Sequence, residues 1–293
     1  MKKFLFSAAA ALLILTSCTK TTSDEKAVIG LAVSTQNNPF FVTLVSGAKK
    51  AAEAQNCDLV VVDAGDDVVK QTSDIEDLIS KKIKVLIVNP VDSQAIAPAV
   101  SDAKKAGIPV IAVDRAVIGE SVTCQIASDN VAGAKMAGEY LLSLVGENAE
   151  VAELQGVNGA SATIDRGKGF HQAVDGKLNV VASLTANFNR VEGLSVAENI
   201  LQGNPELKGI FAHNDEMALG ALEAATASGK QIVIVGFDAT DDALAAVKNG
   251  TLAATVAQQP EQMGKVAVET ALQIIAGNSV PESIPVDVAL IKK

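Results

Sequence analysis

Four short runs rich in Val and Ile, Val28 to Val33, Leu59 to Val62, Val85 to Val88 and Val110 to Val113, recur along the first part of the chain. Each is separated from the next by a stretch long enough for a helix, which is the signature of strands alternating with crossover helices. The first intervening stretch sets Phe41, Leu44, Val45, Ala48, Ala51 and Ala52 at helical spacing, and Gly107-Ile108-Pro109 ends another helix before the fourth strand. A second set with the same rhythm follows at Val151 to Leu154, Val180 to Leu184, Ile210 to Ala212 and Ile232 to Val235, with a helix over Asn214 to Ser228. Two similar α/β halves are therefore expected, each a doubly wound parallel sheet. Leu252 to Gln258 and Pro285 to Ile291 read as extra strands that return the chain between the halves, with a last helix over Glu261 to Ala276.

Composition agrees with this pattern. The 293 residues are 48% apolar, yet there is no Trp and Tyr140 is the one tyrosine, so the core must be built from Ala, Val, Leu and Ile. That length suits one large or two ordinary domains that fold without metals or disulfides. Cys57 and Cys124 each stand beside an apolar run, so buried free thiols are expected, with a single bridge between them left open.

Residues 1–17 read as an export signal: Lys2 and Lys3 start it, Ala8 to Leu15 form its apolar run, and Leu15-Thr16-Ser17-Cys18 is the processing site. The run is too short for a permanent membrane span. Small residues ahead of Cys18 are similar to a bacterial lipobox, which makes Cys18 the lipidated new N-terminus and residues 18–26 a tether. The alternative is ordinary secretory cleavage nearby, with Cys18 incidental. Loss of residues 1–17 removes two lysines and no acid, moving the formal charge from −10 to −12. A nucleic-acid partner is thereby disfavoured.

In an open parallel sheet, ligands bind beyond the carboxyl ends of the strands. In the first half those ends lead to Asn38, Phe40 and Phe41, to Asn89, and to Asp114 and Arg115. In the second half they lead towards Arg166, to Phe188, to Asn214, and to Phe237 and Asp238, with Gln258 ending a later strand. Amides, carboxylates, guanidinium groups and phenyl rings suit a polyol: hydroxyls both donate and accept, and rings cover the apolar C–H faces of a sugar. Singly, Asn214 reads as a helix cap, Asn89-Pro90 as a turn and Asp114-Arg115 as a surface pair. Their convergence on one edge of two sheets points to a ligand site.

Ser34-Thr35-Gln36-Asn37-Asn38-Pro39-Phe40-Phe41, Ile126-Ala127-Ser128-Asp129-Asn130, Asn214-Asp215-Glu216-Met217-Ala218-Leu219-Gly220-Ala221 and Val235-Gly236-Phe237-Asp238 carry a family resemblance. Over about Ala27 to Ile291 the chain resembles the type I periplasmic binding proteins of the pentose and hexose branch, the ribose receptors in particular. The resemblance implies two Rossmann-like lobes joined by a three-segment hinge near Ser128-Asp129, Gln258-Gln259 and Asp287. One lobe would hold residues 27–128 plus 259–287, the other 129–258 plus 288–293. It implies no cofactor and no catalysis, D-ribose as ligand within the twelve residues named above, and a monomer that serves the permease of an ABC transporter, with a chemoreceptor as a further partner. Membrane attachment would be by the lipid alone. Local departures are His213, where glutamine is usual, Thr163-Ile164-Asp165 ahead of Arg166, and the lipobox itself.

Three rival functions differ from this one in the residues they require. An enzyme is disfavoured because His171 and His213 are the only histidines and no H-E-x-x-H, G-x-S-x-G or phosphate-loop motif occurs. The sensor core of a sugar-responsive repressor would need a helix-turn-helix where the export signal stands. A receptor of the same fold for allose, galactose or autoinducer-2 differs only in pocket detail.

Overall fold

The structure, a computed structural model, describes residues 26–293. The export signal, Cys18 and nearly all of the tether lie outside the described residues.

In chain order the strands are β1 (Val28–Val33), β2 (Asp58–Asp63), β3 (Val85–Val88), β4 (Val110–Val113), β5 (Cys124–Ser128), β6 (Glu150–Gln155), β7 (Asn179–Thr185), β8 (Gly209–Ala212), β9 (Val233–Asp238), β10 (Ala254–Ala257), β11 (Ser283–Val286) and β12 (Ala289–Lys292). The helices are α1 (Pro39–Ala54), α2 (Val68–Ser80), α3 (Ala97–Lys105), α4 (Asn130–Val145), α5 (Ser161–Val174), α6 (Arg190–Gly203), α7 (Asp215–Ala227), α8 (Asp241–Asn249) and α9 (Pro260–Ile275). They build two six-stranded sheets, ordered β11-β5-β4-β3-β1-β2 and β12-β10-β9-β8-β6-β7. The second order repeats the first, strand for equivalent strand. In each lobe the chain steps one way from its first strand and then back past it, so the loops after β1 and β3, and after β6 and β8, diverge and leave a crevice.

Both faces of each sheet are covered, which explains the unbroken apolar runs. Successive residues of a strand point to opposite faces, so Ile29, Leu31 and Val33 pack beneath α1 and α9 with Leu44, Met263 and Val268. Ala32 faces the other way, with Ile75, Leu78 and Val100 of α2 and α3. The second lobe repeats this: Val151, Val235 and Val256 pack with Phe170 and Leu141, whereas Leu154, Ile210 and Ile234 pack with Ile200 and Met217. Burial of each such side chain is worth about 1.5–3 kcal/mol. Cys57 and Cys124 are buried free thiols within one of these layers.

The chain passes from one sheet to the other three times: between β5 and α4, between β10 and α9, and between β11 and β12. Pro285 to Ile291, expected as one strand, is cut at this third passage. Ser283–Val286 pairs parallel with β5, and Ala289–Lys292 pairs antiparallel with β10. Only Asp287 and Val288 lie between. A parallel entry would need chain enough to travel the length of the sheet, so this short passage enters the second sheet at its carboxyl edge and must run backwards.

Candidate ligand-binding site

Between the carboxyl edges of the two sheets lies a cavity of about 240 Å³. Ten of the twelve residues expected from the sequence line it. Asn38, Phe40, Phe41, Asp114 and Arg115 come from one lobe, and Arg166, Phe188, Asn214 and Asp238 from the other. Gln258 stands at the passage from β10 to α9.

Local chain chemistry sets each group. Pro39 begins α1 and the Asn38 carboxamide accepts from the Phe40 N–H at 2.9 Å, so cap and cavity wall are one residue. Asn214 caps α7 through Met217 N–H at 3.0 Å and donates from Nδ2 to the Phe188 carbonyl at 3.1 Å. Its amide keeps a further donor for the cavity. Asp114 and Arg115 are 4% and 2% exposed, which excludes a surface pair. The Arg115 guanidinium lies 5.2 Å from the Phe41 ring centre and 5.3 Å from that of Phe188, and donates to the Pro90 carbonyl at 2.9 Å. Arg166 projects from mid-helix on α5, where Nε donates to Asn130 at 2.8 Å and Nη1 to the His213 carbonyl. Its guanidinium lies 3.9 Å from the Phe237 ring centre. Phe188 therefore stands between two cations, one from each lobe.

The remaining two expected residues stand behind the wall. Asn89 is fully buried, receives both the N–H and the hydroxyl of Ser34, and donates to the Val113 carbonyl and to Asp114 Oδ2 at 3.1 Å. Its bonding capacity is consumed in aiming Asp114. Phe237, also fully buried, is the platform beneath Arg166. Sequence reasoning missed Ala162 on the wall and Asn130 as the Arg166 anchor. Ala162 precedes Arg166 by one helical turn on the same face, which was the available signal; Asn130 had none apart from its place in a family motif.

Three polar atoms of this wall have no hydrogen-bond partner in the protein among the described residues: Asp114 Oδ1, Arg115 Nε and Gln258 Oε1. Buried polar atoms left unpaired cost about 1–3 kcal/mol each, so native proteins seldom keep them without purpose. Burial pushes the Asp114 and Asp238 carboxyls up from the ordinary range, while Arg115 and Arg166 pull them down. Burial likewise opposes the charge on both arginines, and the two carboxylates support it. The charged residues of the wall are these four, two of each sign, so the cavity suits a neutral solute with several hydroxyls.

Behind Arg166 lies a second polar chain. His213 and Glu153 are fully buried and joined at 2.8 Å between Nε2 and Oε1, and Gln155 donates to the other Glu153 oxygen at 2.9 Å. The partly exposed His171 faces Glu153 at 3.5 Å with one nitrogen and Asp175 at 2.7 Å with the other. Burial pushes Glu153 up, but its hydrogen bonds, that to the His213 ring first among them, outweigh it and hold the group at about 2. Burial pushes His213 down and keeps it neutral, whereas His171, between two carboxylates, is raised.

Fold and site together define a two-lobed binding protein of the periplasmic type. Residues 29–279 match the periplasmic binding protein domain family, and the chain belongs to that family. It is 50% identical over 262 residues to the ribose import binding protein of Bacillus subtilis, covering 89% of this chain and 86% of that one. It is 47% identical to the ribose import binding protein of Haemophilus influenzae along the whole of both chains. Among solved structures, a periplasmic solute binding protein of an ABC transporter from Actinobacillus succinogenes, with bound D-allose, superposes with a TM-score of 0.85 at 32% identity over 92% of this chain and 98% of that one.

Proposed function

We propose that this protein is an extracytoplasmic receptor that captures D-ribose between its two lobes and delivers it to the permease of an ABC transporter, without chemical change to the sugar. The observation that carries this is the set of unpaired atoms, Asp114 Oδ1, Arg115 Nε and Gln258 Oε1, facing a small cavity walled by Phe40, Phe41 and Phe188. Sugar hydroxyls would satisfy acceptor and donor alike, and the rings would cover the C–H faces. The balance of two carboxylates against two guanidinium groups favours a neutral sugar over a phosphorylated one. Identity of 47–50% to proteins named as ribose importers supports the choice of pentose. D-allose is the second reading, favoured by the 32% identical structure solved with it.

In this proposal residues 27–128 plus 259–287 and residues 129–258 plus 288–293 move as two bodies about the three passages of the chain. Closure would bring Asp114 and Arg115 to the same ligand as Arg166, Asn214 and Asp238, so binding and the closed shape presented to the permease share one equilibrium. The protein would act as a monomer after export, held to the membrane by a lipid on Cys18, with a chemoreceptor as a further partner of the closed form.

Calorimetric titration of sugar-stripped protein with ribose, allose, galactose, glucose and arabinose tests the assignment. Ribose is expected to bind about a hundredfold or more tighter than glucose or galactose, because an extra hydroxymethyl in a closed cavity displaces a wall or buries an unpaired hydroxyl. Tightest binding to a hexose, or no heat with ribose, overturns the ribose assignment.

A further inference from the structure

Helices α1, α2, α4, α6 and α7 each begin on an Asn or Asp whose side chain accepts from the first turn. Helix α5, which carries Ala162 and Arg166 to the cavity, begins on Ala160 and, like α3, α8 and α9, has no such bond of its own. An uncapped start leaves up to four N–H groups without intrahelical partners. One of these is supplied from across the cleft: the Ser161 N–H donates to the hydroxyl of Ser93 at 3.0 Å. Ser93 lies in the loop between β3 and α3 of the opposite lobe.

Two more bonds complete the contact. The Ser93 N–H donates to the Gly159 carbonyl at 3.0 Å, and the Ala116 N–H donates to the Ser161 hydroxyl at 2.8 Å. All three run between lobes, and Ser93 and Ser161 are 0% and 8% exposed, so the bonds are shielded from water. Any separation of the lobes breaks them together. The Ser93 hydroxyl makes no bond inside its own lobe among the described residues, where the loop is held by its backbone through Ile118 N–H to the Ser93 carbonyl at 2.7 Å. Neither serine lines the cavity. Their neighbours do: Ala116 follows Arg115, and Ser161 precedes Ala162 and stands five residues before Arg166.

We propose that Ser93 is a positioning residue for the binding site, whose hydroxyl caps helix α5 from the opposite lobe, so that the helix presenting Arg166 gains this cap only when the cleft is shut. This rests on the receptor function proposed above and adds to it a determinant of affinity that touches no ligand. In the closed protein the cap, the Ser161 hydroxyl bond and the Gly159 bond join the segments that carry the two guanidinium groups. In the open protein the α5 N-terminus and the Ser93 hydroxyl turn to water, at little cost to either lobe. The clamp therefore biases the equilibrium between open and closed forms and slows escape of the ligand.

Ser93→Ala in the full mature chain tests this, with ribose as the probe. The dissociation constant should rise about 2- to 30-fold, the ~0.5–2 kcal/mol of a lost helix cap converted at ~1.4 kcal/mol per tenfold. Stopped-flow measurement should place the change in the dissociation rate, with association unaltered. The thermal midpoint of the sugar-free variant should equal that of the wild type, because the hydroxyl has no partner in its own lobe. Ser93→Thr keeps the acceptor oxygen and should keep the slow release. Equal ribose affinity in the alanine variant overturns the clamp while leaving the receptor function standing. A sugar-free midpoint lowered as far as the loaded one, or a threonine variant as weak as alanine, also overturns it by showing a general structural role. A wild-type protein that binds neither ribose nor allose overturns the receptor function itself, and the clamp with it.

Discussion

Three residues of the cavity wall stand on backbone that most side chains avoid: Asp114 at φ 65°, Phe188 at φ 59° and Asp238 at φ 124°. Each such conformation costs on the order of 1–3 kcal/mol and persists only where the surroundings hold it, which is characteristic of sites. For Phe188 the holding is visible in the Asn214 bond to its carbonyl and in Gly156, where any side chain would strike the ring. Arg166 shows the same economy of support, fixed by Asn130, the His213 carbonyl and the Phe237 face. Truncation to Arg166→Ala removes a charge-assisted donor worth about 1.5–3 kcal/mol, so ribose affinity measured by calorimetry should fall roughly tenfold to a hundredfold or more. Arg166→Lys should recover little of it, because one ammonium cannot reproduce the planar fork. Unchanged affinity in the alanine variant removes Arg166 from the ligand's contacts.

At the scale of elements, β1, β3 and β4 begin and end where the apolar runs do, since a strand buried on both faces is written as an uninterrupted run. Ile232 to Val235 was a less complete guide, because β9 continues through Phe237 and Asp238, carried by its ladder with β10 out to Asp238 and Ala257. A pairing partner is not a property of the run itself. Helix α5 also holds a histidine whose surroundings favour its protonated form. His171 faces carboxylates with both nitrogens, Glu153 on one side and Asp175 on the other, which raises its pKa from the usual 6.5. The sign follows from linkage: a raised histidine contributes stability below its unfolded pKa and loses it as pH rises through the folded value. Denaturant unfolding of the wild type and of His171→Gln should differ most near pH 6 and converge well above neutrality. A difference independent of pH would mean that the ring serves by packing alone.

Over the whole molecule, two copies of one winding scheme meet edge to edge, and the site exists only where they meet. Within the first lobe, Gly47 of α1 and Gly264 of α9 show how closely two helices of one layer approach, since a Cβ at either would strike the backbone of the opposite helix. The tether proposed to hold this assembly at the membrane is tested apart from the fold: Cys18→Ala should release the protein into the soluble fraction and abolish labelling by radioactive fatty acid. A variant that stays on the membrane refutes the lipid anchor. The sequence by itself determined the alternation of strand and helix, the doubling of the α/β unit and most of the polar and aromatic residues at the strand ends, because burial on both faces of a parallel sheet and the chemistry of helix starts are local and periodic. Only the tertiary structure decided that β12 runs antiparallel, that Asn89 and Phe237 stand behind the wall as supports while Ala162 forms part of it, and that Ser93 completes a helix in the other lobe. Each of these depends on which distant segments meet across the cleft, and composition and spacing carry no record of that.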